Sequence, residues 1–280
     1  MPPESDAAAV AYRETRPAPE LADLVECFWT SRSAVPARAE RTHRVLPDGC
    51  SDIIFNFGDP MRAVTGPSHA FTSYVVGAMR RPLAVRQRGA VELLGVRFRP
   101  GGATPFLPVA ASELTDRVVA LAELWRGEAG DAESLLFDLP PGARVARLQA
   151  LLLRRLAAGP APDRRVAHVA RLIERSGGRA TVRALHDAVG MGRRQLERLY
   201  ADAVGLTPKM ACRVARLRET LRRLDDEPGV SWSRLAYSCG YADQPHLVRE
   251  FRALTGVTPG AYRDRRGRVA SVQDDGLAAD

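Results

Sequence analysis

Cysteine is scarce in this chain: Cys27, Cys50, Cys212 and Cys239 lie far apart and none belongs to a C-x-x-C pair. That spacing excludes a disulfide framework or a cysteine zinc cluster and points to reduced thiols. No run of 18 apolar residues occurs, and no charged segment followed by an apolar stretch opens the chain. Neither a membrane-spanning helix nor a secretory leader is therefore expected, and the chain reads as cytoplasmic. His43 and His69 are the only histidines of the first half, with no H-x-H pair and no glutamate at metal spacing, so no metal site is expected. Asp48 and Asp52 read as turn residues rather than catalytic acids, and no catalytic residue or cofactor is assigned.

Lysine is nearly missing as well, Lys209 being the only one among 41 basic residues. The 280 residues carry a formal charge of +8, and its distribution is uneven. Residues 164–268 hold 22 basic against 11 acidic side chains, a local charge of +11 that leaves −3 for the remainder. Basicity concentrated in one region is what neutralising phosphates requires. The length is enough for two domains, each with its own core.

The basic region contains one motif twice. Leu196, Arg198, Tyr200, Gly205, Thr207 and Pro208 recur 51 residues later as Leu247, Arg249, Phe251, Gly256, Thr258 and Pro259. Upstream the offset is 50, with Val182, Leu185 and Gly190 matching Trp232, Leu235 and Gly240. The slip falls where a turn between two helices takes one extra residue. Each copy follows the grammar of a helix-turn-helix. In the second, Trp232, Leu235, Ala236 and Cys239 form the stripe of a short helix, Gly240 closes it, and Asp243 with Pro245 opens the next. In the first, Val182, Leu185 and Val189 form the stripe, and Leu196, Leu199 and Tyr200 the inner face of the second helix.

The outer faces hold Arg193, Arg194, Glu197 and Arg198 in the first copy, and Gln244, Val248 and Arg249 in the second. Arginine bonds guanine bidentately, glutamine pairs with adenine, and an apolar side chain meets the thymine methyl. The alternative is a merely solvated helix face, which the recurrence of the pattern disfavours. Between the copies Met210, Val214, Leu217, Leu221 and Leu224 step by 4, 3, 4 and 3, a helix suited to hold two reading heads apart. Arg213, Arg216, Arg218, Arg222 and Arg223 lie on its other faces, as phosphate contacts or solvated charge.

From Ala236-Tyr-Ser-Cys-Gly-Tyr-Ala-Asp-Gln-Pro-His-Leu-Val-Arg-Glu-Phe251 to Gly256-Val-Thr-Pro259, residues 164–263 resemble the DNA-binding domain of the AraC/XylS family of bacterial transcription regulators. The resemblance implies two helix-turn-helix units joined by one long helix, with both recognition helices in successive major-groove segments. Carried over by position, the implied base readers are Arg194, Glu197 and Arg198, then Gln244, Pro245, Val248 and Arg249; Arg193, Arg213, Arg216 and His246 are the implied backbone contacts. Two departures stand out. His186 occupies a position usually held by alanine at the helix crossing, predicting looser packing of the first unit, and Gly192 replaces a serine N-cap.

The first half reads differently. Residues 1–20, with Pro2, Pro3, Pro17 and Pro19, are expected to form a flexible arm. Strands are expected at 25–31, 44–46, 52–57, 74–76, 83–87 and 91–98, giving an antiparallel sandwich or partial barrel. After Pro100-Gly-Gly102 the period turns helical, with a short helix from Ala103 to Phe106, a longer one from Thr115 to Trp125, and a leucine-rich one from Val145 to Leu156. The leucine excess of the last fits a dimer contact or burial against the sheet. Arg97 and Arg99 alternate on a strand and either face an anionic ligand or pair with acidic neighbours. The stretches Arg44-Val-Leu-Pro-Asp-Gly-Cys50, Gly95-Val-Arg-Phe-Arg-Pro-Gly101 and Glu113-Leu-Thr-Asp-Arg117 are similar to the sensor domain of one AraC-family branch, which implies a cupin-like barrel followed by helices.

The expectation is an α+β chain of two domains: a β-rich sensor or dimerisation domain over 21–158, a linker over 159–163, and a double helix-turn-helix domain over 164–268, before a disordered tail over 269–280. In the second domain the first unit covers about 181–203, the spacer helix 208–224 and the second unit about 231–254. Double-stranded promoter or operator DNA is the expected partner, with a small-molecule effector, RNA polymerase and a second copy of the chain as further ones. Two other classes stand beside a transcription regulator: a DNA-repair or methyl-transfer enzyme carrying this DNA-binding half, and a ligand-binding adaptor that no longer grips DNA. The scattered cysteines disfavour the enzyme.

Overall fold

The computed structural model describes residues 11–35, 40–64 and 72–266. The expected arm over residues 1–10, His69 and the tail over 269–280 lie outside the described residues. Among the described residues, nine strands precede the α-helices. They are β1 (Ala11–Thr15), β2 (Val25–Ala34), β3 (Arg41–Val45), β4 (Ser51–Asn56), β5 (Arg62–Ala63), β6 (Ser73–Val76), β7 (Leu83–Gln87), β8 (Ala90–Phe98) and β9 (Val118–Ala120). All pairings are antiparallel. Six strands form one sheet in the order β1-β2-β8-β4-β6-β9, and three form a second in the order β3-β7-β5.

Alternation along the central strands gives the large sheet two unequal faces. Phe28, Ile53, Phe55, Val75, Leu94, Val96 and Phe98 point to one side, into a large core. That core is closed by α1 (Leu121–Leu124), α2 (Glu128–Phe137) and α3 (Pro141–Ala158). Cys27, Trp29 and Ile54 point to the other side and form a small cluster with Tyr12, Tyr74, Val76 and Leu93 around it. Trp29 pairs with Gly95 in register, and the absence of a side chain there is required: a Cβ on Gly95 would sit 2.2 Å from the indole.

Several expectations for this half are corrected. Residues 11–15 are a strand and not an arm, because β1 completes backbone hydrogen bonding along β2. The helix expected from Thr115 to Trp125 is mostly absent. Asp116 takes φ 58° while its carboxylate accepts from the backbone N–H and Nε of Arg80, and Val118–Ala120 then pair with β6. Tertiary pairing of two β-branched residues outweighs the apolar spacing read as helical. Residues 103–106 form turns, with Phe106 stacked on Phe98 at 5.1 Å. Helix α2 and the strands β5 and β9 were not anticipated. In α3, Leu148 and Leu152 are fully buried in the sheet's core, with Val145, Leu151, Leu153 and Leu156 partly buried against it, so burial accounts for the leucines.

The second half is helical: α4 (Arg164–Arg175), α5 (Val182–Val189), α6 (Arg193–Val204), α7 (Pro208–Asp226), α8 (Trp232–Ser238), α9 (Gln244–Thr255) and α10 (Pro259–Arg266). Its core also takes in Leu46 and Ala78 from the first half. The approach is close, since a side chain on Gly101, at φ 84°, would strike Val166 at 2.7 Å. Around this seam Glu26 lies 3.8 Å from Arg218 of α7, and the Cys50 thiol donates to Glu26 at 3.4 Å. The two halves therefore pack directly on each other, across a connection that composition alone reads as a tether.

Candidate nucleic-acid interface

The two helix-turn-helix units are built alike from local sequence. Thr181 caps α5 by accepting from the Ala184 N–H at 3.1 Å, and Ser231 caps α8 by accepting from Arg234 at 3.4 Å. Gly190 (φ 62°) and Gly240 (φ 75°) then reverse the chain in the left-handed region that glycine reaches without a Cβ penalty. Met191 and Tyr241, the residues that follow, are both buried. The extra residue of the second unit comes after this point, where Ala242 and Asp243 stand in place of Gly192. Leu196 and Leu247 are fully buried, as are Tyr200 and Phe251, which anchors α6 and α9 by the same inner face. Helix α7 runs 19 residues, about 28 Å at 1.5 Å per residue, and separates the two units.

With the inner faces fixed, helical geometry turns the intervening residues outward. On α6, Arg193, Arg194, Gln195 and Arg198 are exposed and Glu197 is half-buried. Arg193 Nε donates to Glu197 at 3.0 Å, one turn away. On α9, Gln244, Pro245 and Arg249 are exposed, and Val248 is half-buried against the helical core. Ser233 Oγ of α8 donates to Gln244 Oε1 at 3.1 Å. Asp243 caps α9 through a 2.6 Å bond from the His246 N–H, while His246 Nδ1 faces the Ala242 N–H at 3.2 Å. Gly192 opens α6 with no side-chain bond.

The expected backbone contacts separate into two groups. Arg193 and His246 lie at the outer ends of α6 and α9. Arg213 and Arg216 also make contacts within the fold. Arg213 binds both oxygens of Glu250, at 2.6 and 3.1 Å, tying α7 to α9. Arg216 donates to the Gly178 carbonyl at 2.9 Å and lies over the Tyr241 ring at 5.3 Å. Both line a cleft of about 490 Å³ between the units, with Val182, Lys209, His246 and Glu250. Lys209, exposed at the start of α7, was missed by sequence reasoning, as was Gln195. The repeat held the signal for the latter, since Gln195 lies 51 residues before His246. His186 does not crowd the helix crossing; its side chain is 26% exposed and turns to Asp187 at 3.0 Å.

In the first half, Arg97 and Arg99 present no shared anion site. Arg97 Nε lies 3.4 Å from Asp52 and 3.5 Å from Asp48, and Arg99 Nε donates to the Ala22 carbonyl at 3.0 Å. Asp48 does serve a turn, accepting from the Cys50 N–H at 2.9 Å, but Asp52 is a strand residue of β4. Burial pushes the Asp52 carboxyl up to about 6, the Arg97 guanidinium offsetting part of that rise. Among the described residues no three His, Cys, Asp or Glu side chains are grouped to hold a metal ion, and no helix is long and apolar enough to cross a membrane.

Residues 185–265 match the family model described as a helix-turn-helix domain. That region is an AraC-type helix-turn-helix domain. Curated proteins similar to this chain include the HTH-type transcriptional activator RhaS of Escherichia fergusonii, 36% identical over 93 residues, which are 32% of this chain and 31% of RhaS. The HTH-type transcriptional regulator GlxA of Rhizobium meliloti is 32% identical over 84 residues, 30% of this chain and 26% of GlxA. The chain thus spans under a third of the length of either curated relative. Residues 13–120 match a second model, a domain of unknown function (DUF6597). Among solved structures, ToxT from Vibrio cholerae aligns with 85% of this chain and 98% of its own at a TM-score of 0.49 and 8% identity.

Proposed function

We propose that this chain is an AraC/XylS-type, sequence-specific DNA-binding regulator of transcription that lays α6 and α9 into neighbouring major-groove segments. Arg194, Glu197 and Arg198 read bases in the first segment, and Gln244, Pro245, Val248 and Arg249 in the second. Arg193, Arg213, Arg216 and His246 grip phosphate, with Lys209 beside them. The β-rich half over 21–158 is the sensor or dimerisation domain for a small-molecule effector, 159–163 the linker, and 164–268 the reading domain. RNA polymerase and a second copy of the chain are its further partners, in the cytoplasm, and no catalysis is assigned.

One observation carries this reading: among the described residues, the first half bonds both recognition helices at their far ends. Thr115 Oγ1 donates to the Gly205 carbonyl at 2.6 Å at the close of α6, and Arg44 lies 3.4 Å from the Thr255 carbonyl at the close of α9. At the opposite ends, Arg194, Arg198, Gln244, Pro245 and Arg249 are exposed, and Glu197 and Val248 half-buried. Electrophoretic mobility shift on the DNA upstream of the chain's own gene, against random duplex, tests it. Arg249→Ala is expected to cost about 1–3 kcal/mol on the specific duplex and to relax preference at one base pair. Lys209→Ala is expected to weaken both duplexes alike and lower the salt slope by about one. Equal effects of the two substitutions on both duplexes would overturn the assignment.

A further inference from the structure

The two reading heads share a scaffold but present different chemistry at equivalent positions. The repeat aligns Arg194 with Pro245, Glu197 with Val248 and Arg198 with Arg249, each 51 residues apart. The fold preserves that alignment. Leu196 and Leu247 are both fully buried, Glu197 and Val248 are both half-buried at the next position, and Arg198 and Arg249 are both exposed after that. A base contact made from one position in α6 therefore has a counterpart made from the same position in α9.

What each position can bond is fixed by its side chain. Arg194 and Arg198 match the two acceptors of guanine, and Glu197 accepts from the cytosine amino group. All three contacts select G·C pairs. In α9, Pro245 and Val248 offer only apolar surface, whose major-groove complement is the thymine methyl, and Gln244 offers an amide to adenine. Ser233 orients that amide at 3.1 Å. Arg249 alone retains the guanine chemistry of its counterpart. The charges differ in the same sense: Arg193, Arg194, Glu197 and Arg198 sum to +2, whereas Asp243 and Arg249 cancel.

Resting on the proposed function above, we infer that this chain recognises an asymmetric duplex, with a G·C-selective segment under α6 and an A·T-containing segment under α9. The segments lie about one helical turn apart. A guanine recurs at the same place in both, under Arg198 and Arg249. Position 197 in one head and 248 in the other decide between cytosine and thymine.

Selection of the full chain on randomised duplex DNA, followed by binding measurements on the enriched sequence, tests this. The expected wild-type product has two segments of unlike composition. Val248→Glu is expected to convert a T·A preference in the second segment to C·G and leave the first unchanged. Glu197→Val is expected to do the reverse in the first segment. Gln244→Ala, at a fully exposed position and so independent of any folding cost at Val248, is expected to reduce discrimination for adenine by about ten-fold or more. Thermal denaturation of each variant confirms that it folds. Two enriched segments of the same composition would overturn the inference while leaving DNA reading intact, and so would exchanges at 197 and 248 that both retain the wild-type selection. A wild-type chain that enriches no sequence over random duplex would overturn the proposed function together with this inference.

Discussion

The sheet of the first half closes its core with its own residues and helices, whereas the helical core of the second half borrows Leu46 and Ala78 from across the seam. The first half is also asymmetric in itself, with one face of its sheet under three helices and the other carrying the small cluster around Cys27, Trp29 and Ile54. The second half achieves order by repetition, the same buried leucine and aromatic anchoring each recognition helix. The difference shows where mechanical coupling resides. The core of the second half reaches into its neighbour, and contacts at Gly205 and Thr255 join the first half to the ends of α6 and α9.

The strongest way to break this comparison is Phe251→Ala, since Phe251 is fully buried and packs edge-on against Tyr262 at 5.5 Å. A loss of about 3–5 kcal/mol is expected. Denaturant unfolding of single-tryptophan variants should show Trp232 of the second half melting before Trp125 of the first. Coincident transitions would show the halves to be one cooperative unit.

Acid titration separates the halves by sign. Asp52, held up to about 6 by burial against the partial offset of Arg97, keeps its proton in the fold where the unfolded chain has released it. Stability contributed at Asp52 therefore falls as pH rises from about 4 to about 6, and levels off above. Glu219 in the second half behaves oppositely. Hydrogen bonding from Arg222, with further help from Arg223, holds it down to about 2. Its contribution is present above about pH 4.5 and disappears as pH falls toward 2. Asp52→Asn should flatten the first trend and leave the second, measured by urea midpoints across pH 2–7.

Thr115→Val tests the seam itself. Removing the hydroxyl that bonds the Gly205 carbonyl at 2.6 Å should cost about 1–2 kcal/mol, and the Trp232 and Trp125 transitions should move apart. An unchanged separation would mean that the apolar contacts at Leu46 and Ala78 alone couple the halves. The smallest effect is expected at Gly192→Ser, which supplies the missing cap of α6 and should raise the thermal midpoint by the equivalent of a few tenths of a kcal/mol.

How much was legible beforehand follows the same division. The repeat located both turns, both buried anchors and the outward faces, because helix boundaries there depend on caps and glycines a few residues away. Strand β1 was unreadable, since Ala11–Thr15 is set by its partner β2 and shows no alternation of its own. Val118–Ala120 was misread as helix because its pairing with β6 lies over forty residues back. Arg213 and Arg216 look like phosphate contacts from spacing alone. Only the approach of Glu250 and Gly178 in space engages them within the fold.

The order of residues determined two matched helical units, the spacer between them, and the side chains each turns outward, since helix periodicity and capping act over a few residues. Tertiary structure alone decided what Arg213 and Arg216 contact within the fold, how the strands pair, and that the first half braces the far ends of α6 and α9. Those outcomes depend on contacts between residues distant in sequence, where burial and hydrogen bonding outweigh local preference.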